Sequence, residues 1–72
     1  MHEYSRILIE EYCREHKGTK SKRLSKLVKM SCDLYCEPTD ADGIYLEKAI
    51  EDEQDTELKE ALIDLNDFLF PR

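Results

Sequence analysis

The chain reads as all-α, a small compact three- to four-helix bundle with short loops, and three observations predict it. Apolar residues recur three and four apart in successive stretches, the signature of helices with one buried face. Two glycines and two prolines are all the chain contains, and no long β-branched run is present to build a sheet. The composition, 40% hydrophobic and 39% charged, is too apolar and too periodic for a disordered chain. Seventy-two residues make a single domain over 1–72, near the size at which a core alone supplies only about 3–5 kcal/mol.

A first helix is expected from about His2 to Glu15, with Tyr4, Ile7, Leu8 and Tyr12 on one side and Ile9 and Cys13 widening the arc. Gly18 stands where a left-handed residue would end it, after His16 and Lys17, whose charge suits a helix C-terminus. Ser21 or Thr19 is placed to cap a second helix running to about Cys36. Leu24, Leu27, Val28, Ser31, Leu34 and Tyr35 form its inner face, and Pro38 stops it. The segment Pro38-Thr39-Asp40-Ala41-Asp42-Gly43 is turn chemistry, with Thr39, Asp40 or Asp42 able to cap a further helix. It is not a calcium loop, because Pro38 and Ala49 would occupy ligand positions one and twelve. A short third helix then runs through Tyr45, Leu46, Ala49 and Ile50. The acidic run 51–55 breaks the pattern, although one continuous helix from Asp42 to Phe70 is the rival reading. Asp55 would then cap a fourth helix, in which Leu58, Ala61, Leu62, Leu65, Phe68 and Leu69 make the apolar stripe.

Net charge is −6, but it is unevenly placed. Residues 1–36 carry eight Lys/Arg against five Asp/Glu, whereas residues 37–72 carry three against twelve. The cations Arg14, Lys17, Lys20, Lys22, Arg23, Lys26 and Lys29 cluster with only Glu15 among them. Such a run could meet phosphates, and a second helix placed after a short turn invites a helix-turn-helix reading. Its outer face offers no Asn, Gln or aromatic side chain for base readout, so pairing with the acidic half is the preferred account. The N-terminus lacks the features of a secretory signal, and no apolar run is long enough to span a bilayer. A soluble, cytoplasmic protein with reduced thiols is expected from three cysteines.

No nucleophile–base pair or glycine-rich phosphate loop can be identified, so no catalytic residue is assigned, no enzyme is expected and no cofactor is inferred. Cys13, His16, Cys32 and Cys36 have spacings that a zinc-stapled helical module could use, but small buried hydrophobes are the simpler reading of such cysteines.

On the fourth helix, Ile63 and Phe70 are seven apart and lie outside the main stripe, beside the acids Glu60, Asp64 and Asp67. These five residues are the candidate partner-binding set, apolar anchors within a charged rim. They suit a protein partner with a basic surface, with self-association competing for the same patch. The ending Leu65-Asn66-Asp67-Phe68-Leu69-Phe70 resembles the short hydrophobic-acidic peptides by which polymerases and viral transcription coactivators hold a replication sliding clamp. That resemblance implies clamp contact through Leu65, Phe68, Leu69 and Phe70. The functional expectation is a small acidic regulator or inhibitor, of immunity, antitoxin or virus-encoded type. A nucleic-acid-binding regulator using the basic second helix is the alternative.

Overall fold

A computed structural model describes residues 1–33 and 37–71. Four helices form, α1 (Glu3–Glu15), α2 (Thr19–Cys32), α3 (Asp40–Asp52) and α4 (Thr56–Leu69). Among the described residues there is no strand, and no helix is long and apolar enough to cross a membrane.

The acidic run does break the helix, so the continuous reading of 42–70 is set aside. Residues 53–55 leave helical geometry, and Asp55 accepts hydrogen bonds from the amides of Glu57 (3.0 Å) and Leu58 (3.3 Å) to start α4. Thr39 starts α3 with a reciprocal capping box. Its hydroxyl accepts from the Asp42 amide at 3.3 Å, and the Asp42 carboxylate accepts from the Thr39 amide at 2.9 Å.

Gly18 acts differently from expectation. Helix α1 ends at His16, whose amide donates to the Tyr12 carbonyl, and Gly18 is instead the N-cap of α2, with φ 149° and ψ −174°. That backbone region is open only to glycine. Neither Thr19 nor Ser21 caps α2, because both lie inside it. The expected extension of α2 through Leu34, Tyr35 and Cys36 falls outside the described residues.

Ile9, Leu24, Leu27, Leu46, Leu62 and Leu65 are the largest fully buried side chains, drawn from all four helices. Helix α1 packs chiefly on α4 and α2, and α3 packs on α4. The α1–α4 seam is antiparallel. The His2 amide donates to Asp64 at 2.9 Å at the start of α1, and the Tyr4 hydroxyl reaches Glu57 at 3.2 Å, nearer the start of α4. Two expected core positions of α1 lie outside: Tyr4 is 64% exposed, and Ile7 is exposed too. The inner face of α1 centres on Ile9, flanked by Leu8, Tyr12 and Cys13, and a helix rotated to seal Ile9 carries positions 4 and 7 toward solvent.

Helices α2 and α3 meet through side chains. Lys20 bridges Glu53 at 3.0 Å, and Arg23 lies over the Tyr45 ring, 4.1 Å from its centroid, and 3.8 Å from the Asp42 carboxylate. Desolvation works against the Lys20 charge, but the bridge to Glu53 outweighs it and raises the ammonium pKa. The basic and acidic halves therefore do meet within one chain, through these two cations.

Candidate functional site: an apolar face rimmed by acids

The capping box fixes the rotation of α3. With Leu46 and Ala49 turned inward, Ile44 is carried outward and is 70% exposed, the barest large hydrophobic side chain described. The Asp55 cap does the same for α4, whose inner face is Leu58, Ala61, Leu62 and Leu65; Ile63, opposite, is 39% exposed. Ile63 thus lies where its place outside the stripe puts it.

Phe70 departs from expectation. It is the C-cap of α4, its amide donating to the Asn66 carbonyl at 2.8 Å, and its backbone leaves helical geometry. The ring folds back over α3 and packs against the core, so closely over Gly43 that a Cβ there would lie 3.3 Å from Phe70 Cζ. Phe70 is half-buried. Phe68, expected in the core, is 49% exposed beside Met1, Arg6 and Cys32. The swap arises in the last turn: once Phe70 leaves the helix to close the α3 side, Leu69 completes the core and Phe68 is left on its edge.

A concavity of about 360 Å³ results between α3 and α4, lined by Asp40, Gly43, Ile44, Glu47, Asn66 and Phe70. Ile63 stands one turn before Asn66 on the same flank of α4. Glu60 and Asp67 are exposed on α4 nearby. Asp64 does not join this rim. It lies on the opposite flank of α4, facing α1, where burial opposes its charge, but hydrogen bonds from the His2 amide and the Ser5 hydroxyl outweigh that and hold its carboxyl below the usual carboxylate range. Four of the five sequence-chosen residues thus sit on or beside one face, and Asp64 is committed within the chain.

Ile44 escapes the sequence reading, although the rule that singles out Ile63 applies to it. It lies off the Tyr45, Leu46, Ala49, Ile50 stripe, and only its place next to a turn segment conceals this.

The zinc set does not assemble among the described residues. Cys13 donates its thiol to the Ser21 carbonyl at 3.4 Å, at the start of α2, whereas Cys32 lies eleven residues further along that helix, about 16 Å by helical rise. Burial pushes the Cys13 thiol up, which favours its neutral form. Cys36 is outside the described residues, and no group of three His, Cys, Asp or Glu side chains able to hold a metal occurs among the rest. The peptide resembling clamp-binding sequences is an integral part of α4: Leu65 is fully buried and Leu69 and Phe70 are packed on the core, which leaves only Phe68 presented.

No protein-family model matches the chain, and neither a curated protein nor a solved structure is significantly similar to it.

Proposed function

We propose that this chain is a non-enzymatic binding protein, a small cytoplasmic regulator or inhibitor that covers a functional surface of a target protein. The observation that carries the reading is the exposure of Ile44 and Ile63 on the acidic half of the bundle, around a concavity that Phe70 closes. Isolated exposed apolar residues are ordinary, but Ile44 lines the hollow that Phe70 closes, and Ile63 stands one turn before Asn66 on the flank of α4 that borders it. Asp40, Glu47, Glu60 and Asp67 surround it, which selects a partner with a basic rim and an apolar knob and speeds their encounter.

Replacing Ile44 and Ile63 together by Ser leaves the core intact, so helicity by circular dichroism is expected to be unchanged. Titration against a partner captured from the native cell is expected to lose at least about 30-fold in affinity, the scale of one lost hot spot. A folded double variant that captures and binds the partner as the parent does refutes this face as the interface. Sedimentation over a range of concentrations separates a foreign partner from a second copy, because self-association through the same face would be lost in the same variant.

A further inference from the structure

We infer that the α3–α4 face receives a single amphipathic helix of a protein partner, apolar at its centre and bearing lysine or arginine about one turn to either side. This rests on the protein-binding reading above and names the form of the occupant.

The face is built as two lines. Asp40, Ile44, Glu47 and Glu51 follow one another at spacings of four, three and four along α3, and Glu60, Ile63, Asp67 and Phe70 at three, four and three along α4 and its C-cap. Side chains at such spacings stack along one side of a helix. All of them but Phe70 are exposed. Residues 53–55 alone join the two helices, and Phe70 at the end of α4 lies over Gly43 near the start of α3, so the helices run antiparallel. Both isoleucines thus have an acid one turn before them and another one turn after. The hollow of about 360 Å³ between α3 and α4, beside Ile44, gives an incoming apolar side chain somewhere to go. From Asp40 to Glu51 the line covers eleven steps of helical rise, about 16 Å, which is the length of about three turns of a helix laid alongside.

The form of the occupant follows from the backbone. Helices α3 and α4 spend their amides and carbonyls within themselves, so this face has no strand edge to pair with an extended chain. A segment lying on Ile44, Ile63 and Phe70 must bring its own hydrogen bonds, and a helix does. The charge of the occupant follows from the rim, because residues 40–70 set eleven acids against Lys48 and Lys59. Such a surface selects a basic partner and speeds the encounter.

A second copy of the chain does not supply this combination. Helix α2 is basic, but among the described residues it exposes no large apolar side chain to enter the hollow. Tyr4 and Ile7 of α1 are exposed, but Glu11 stands one turn beyond Ile7 and Glu57 accepts from the Tyr4 hydroxyl, so they would bring like charge to the rim. The cation beside exposed Phe68, Arg6, is already bridged to Glu3 and Glu10.

The test titrates three synthetic peptides of equal composition into the full chain while backbone amide resonances are followed. The first is a helix of about three turns, with leucines one turn apart at its centre and a lysine one turn beyond them at each end. The second scatters the same leucines around the helix, and the third shares the first pattern but exchanges a central alanine with a terminal proline to break the helix. The first peptide is expected to bind at least about tenfold more tightly than either other, with shifts centred on residues 40–51 and 60–70. Glu47→Gln combined with Asp67→Asn, both exposed, is expected to weaken it about fivefold and to flatten its salt dependence. Equal affinity for the three peptides, shifts centred elsewhere, or a charge variant that binds as the parent does overturns the inference. A full chain that sediments as a dimer, and as a monomer once Ile44 and Ile63 are both replaced by Ser, overturns it in favour of a second copy. If the peptides fail while a captured partner still loses affinity in that Ser variant, the face stands as the interface and only the helical occupant is refuted.

Discussion

The α1–α2 and α3–α4 hairpins have the same architecture and close their helices in opposite ways. In the acidic hairpin, short oxygen-bearing side chains at 39, 42 and 55 take up the free amides of each helix start. The same chemistry that makes this half acidic thus also completes it, and leaves its outer face free to carry Ile44 and Ile63. In the basic hairpin the hydroxyls of Thr19 and Ser21 lie inside the second helix rather than at its N-cap, and the lysines around them offer only donors. That helix begins at Gly18 with no side-chain cap, and Lys17, Lys22, Lys26 and Lys29 line a hollow beside it. The difference teaches that charge segregation along a sequence also segregates capping: the acidic half closes its own helix starts, and the basic half begins its second helix without a side-chain cap.

The contrast holds only if the two hairpins are one cooperative body, and the largest expected effect tests that. Leu62→Ala empties a fully buried site shared by the whole core and is expected to cost about 2–5 kcal/mol, comparable with everything a core of this size supplies. Helical signal and amide protection in both hairpins are expected to disappear together in urea. Protection that survives in residues 3–32 would split the bundle into independent halves.

A smaller effect sharpens the comparison of helix starts. Asp55→Ala removes the acceptor for two amides and is expected to lower stability by about 1 kcal/mol. Ser21→Ala, in the first turn of α2, is expected to change it by less than about 0.5 kcal/mol. Equal losses in urea midpoint would mean that α2 is closed by its own residues after all.

The smallest effect concerns acid. Asp42 is held below the usual carboxylate range chiefly by the Thr39 amide. Glu53 is lowered as well: burial opposes its charge, but the Asp55 amide and Lys20 outweigh it. A carboxyl with a depressed folded-state pKa stabilises the fold above its unfolded value, about 4, and that stability is lost as pH falls through the folded value. Urea midpoints are therefore expected to fall between about pH 5 and pH 2, and Glu53→Gln is expected to flatten that slope. A stability that rises on acidification would contradict the assigned bonds.

Local chemistry is legible in the sequence and long-range closure is not. The caps at Thr39 and Asp55 can be read because a cap and its amides lie within three residues, and the core faces of α2 and α4 because the helical period is carried by the residues themselves. Gly18 is ambiguous because a glycine between two helical stretches looks alike whether it ends one or begins the next. The exchange between Phe68 and Phe70 depends on the backbone turn of a single residue over Gly43, which periodicity does not encode. Asp64 looks like a rim residue to any local reading, because its partner is sixty-two residues away at His2.

That pairing of His2 with Asp64 has a consequence for how the chain is made. The main neighbour of α1 is α4, so α1 leaves the ribosome long before the helix that covers it. Until α4 follows, its Ile9 side has chiefly α2 to lean on, and at synthesis rates of about 5–20 residues per second that wait lasts seconds. A ribosome stalled before Thr56 would therefore hold α1 without the helix that covers most of it.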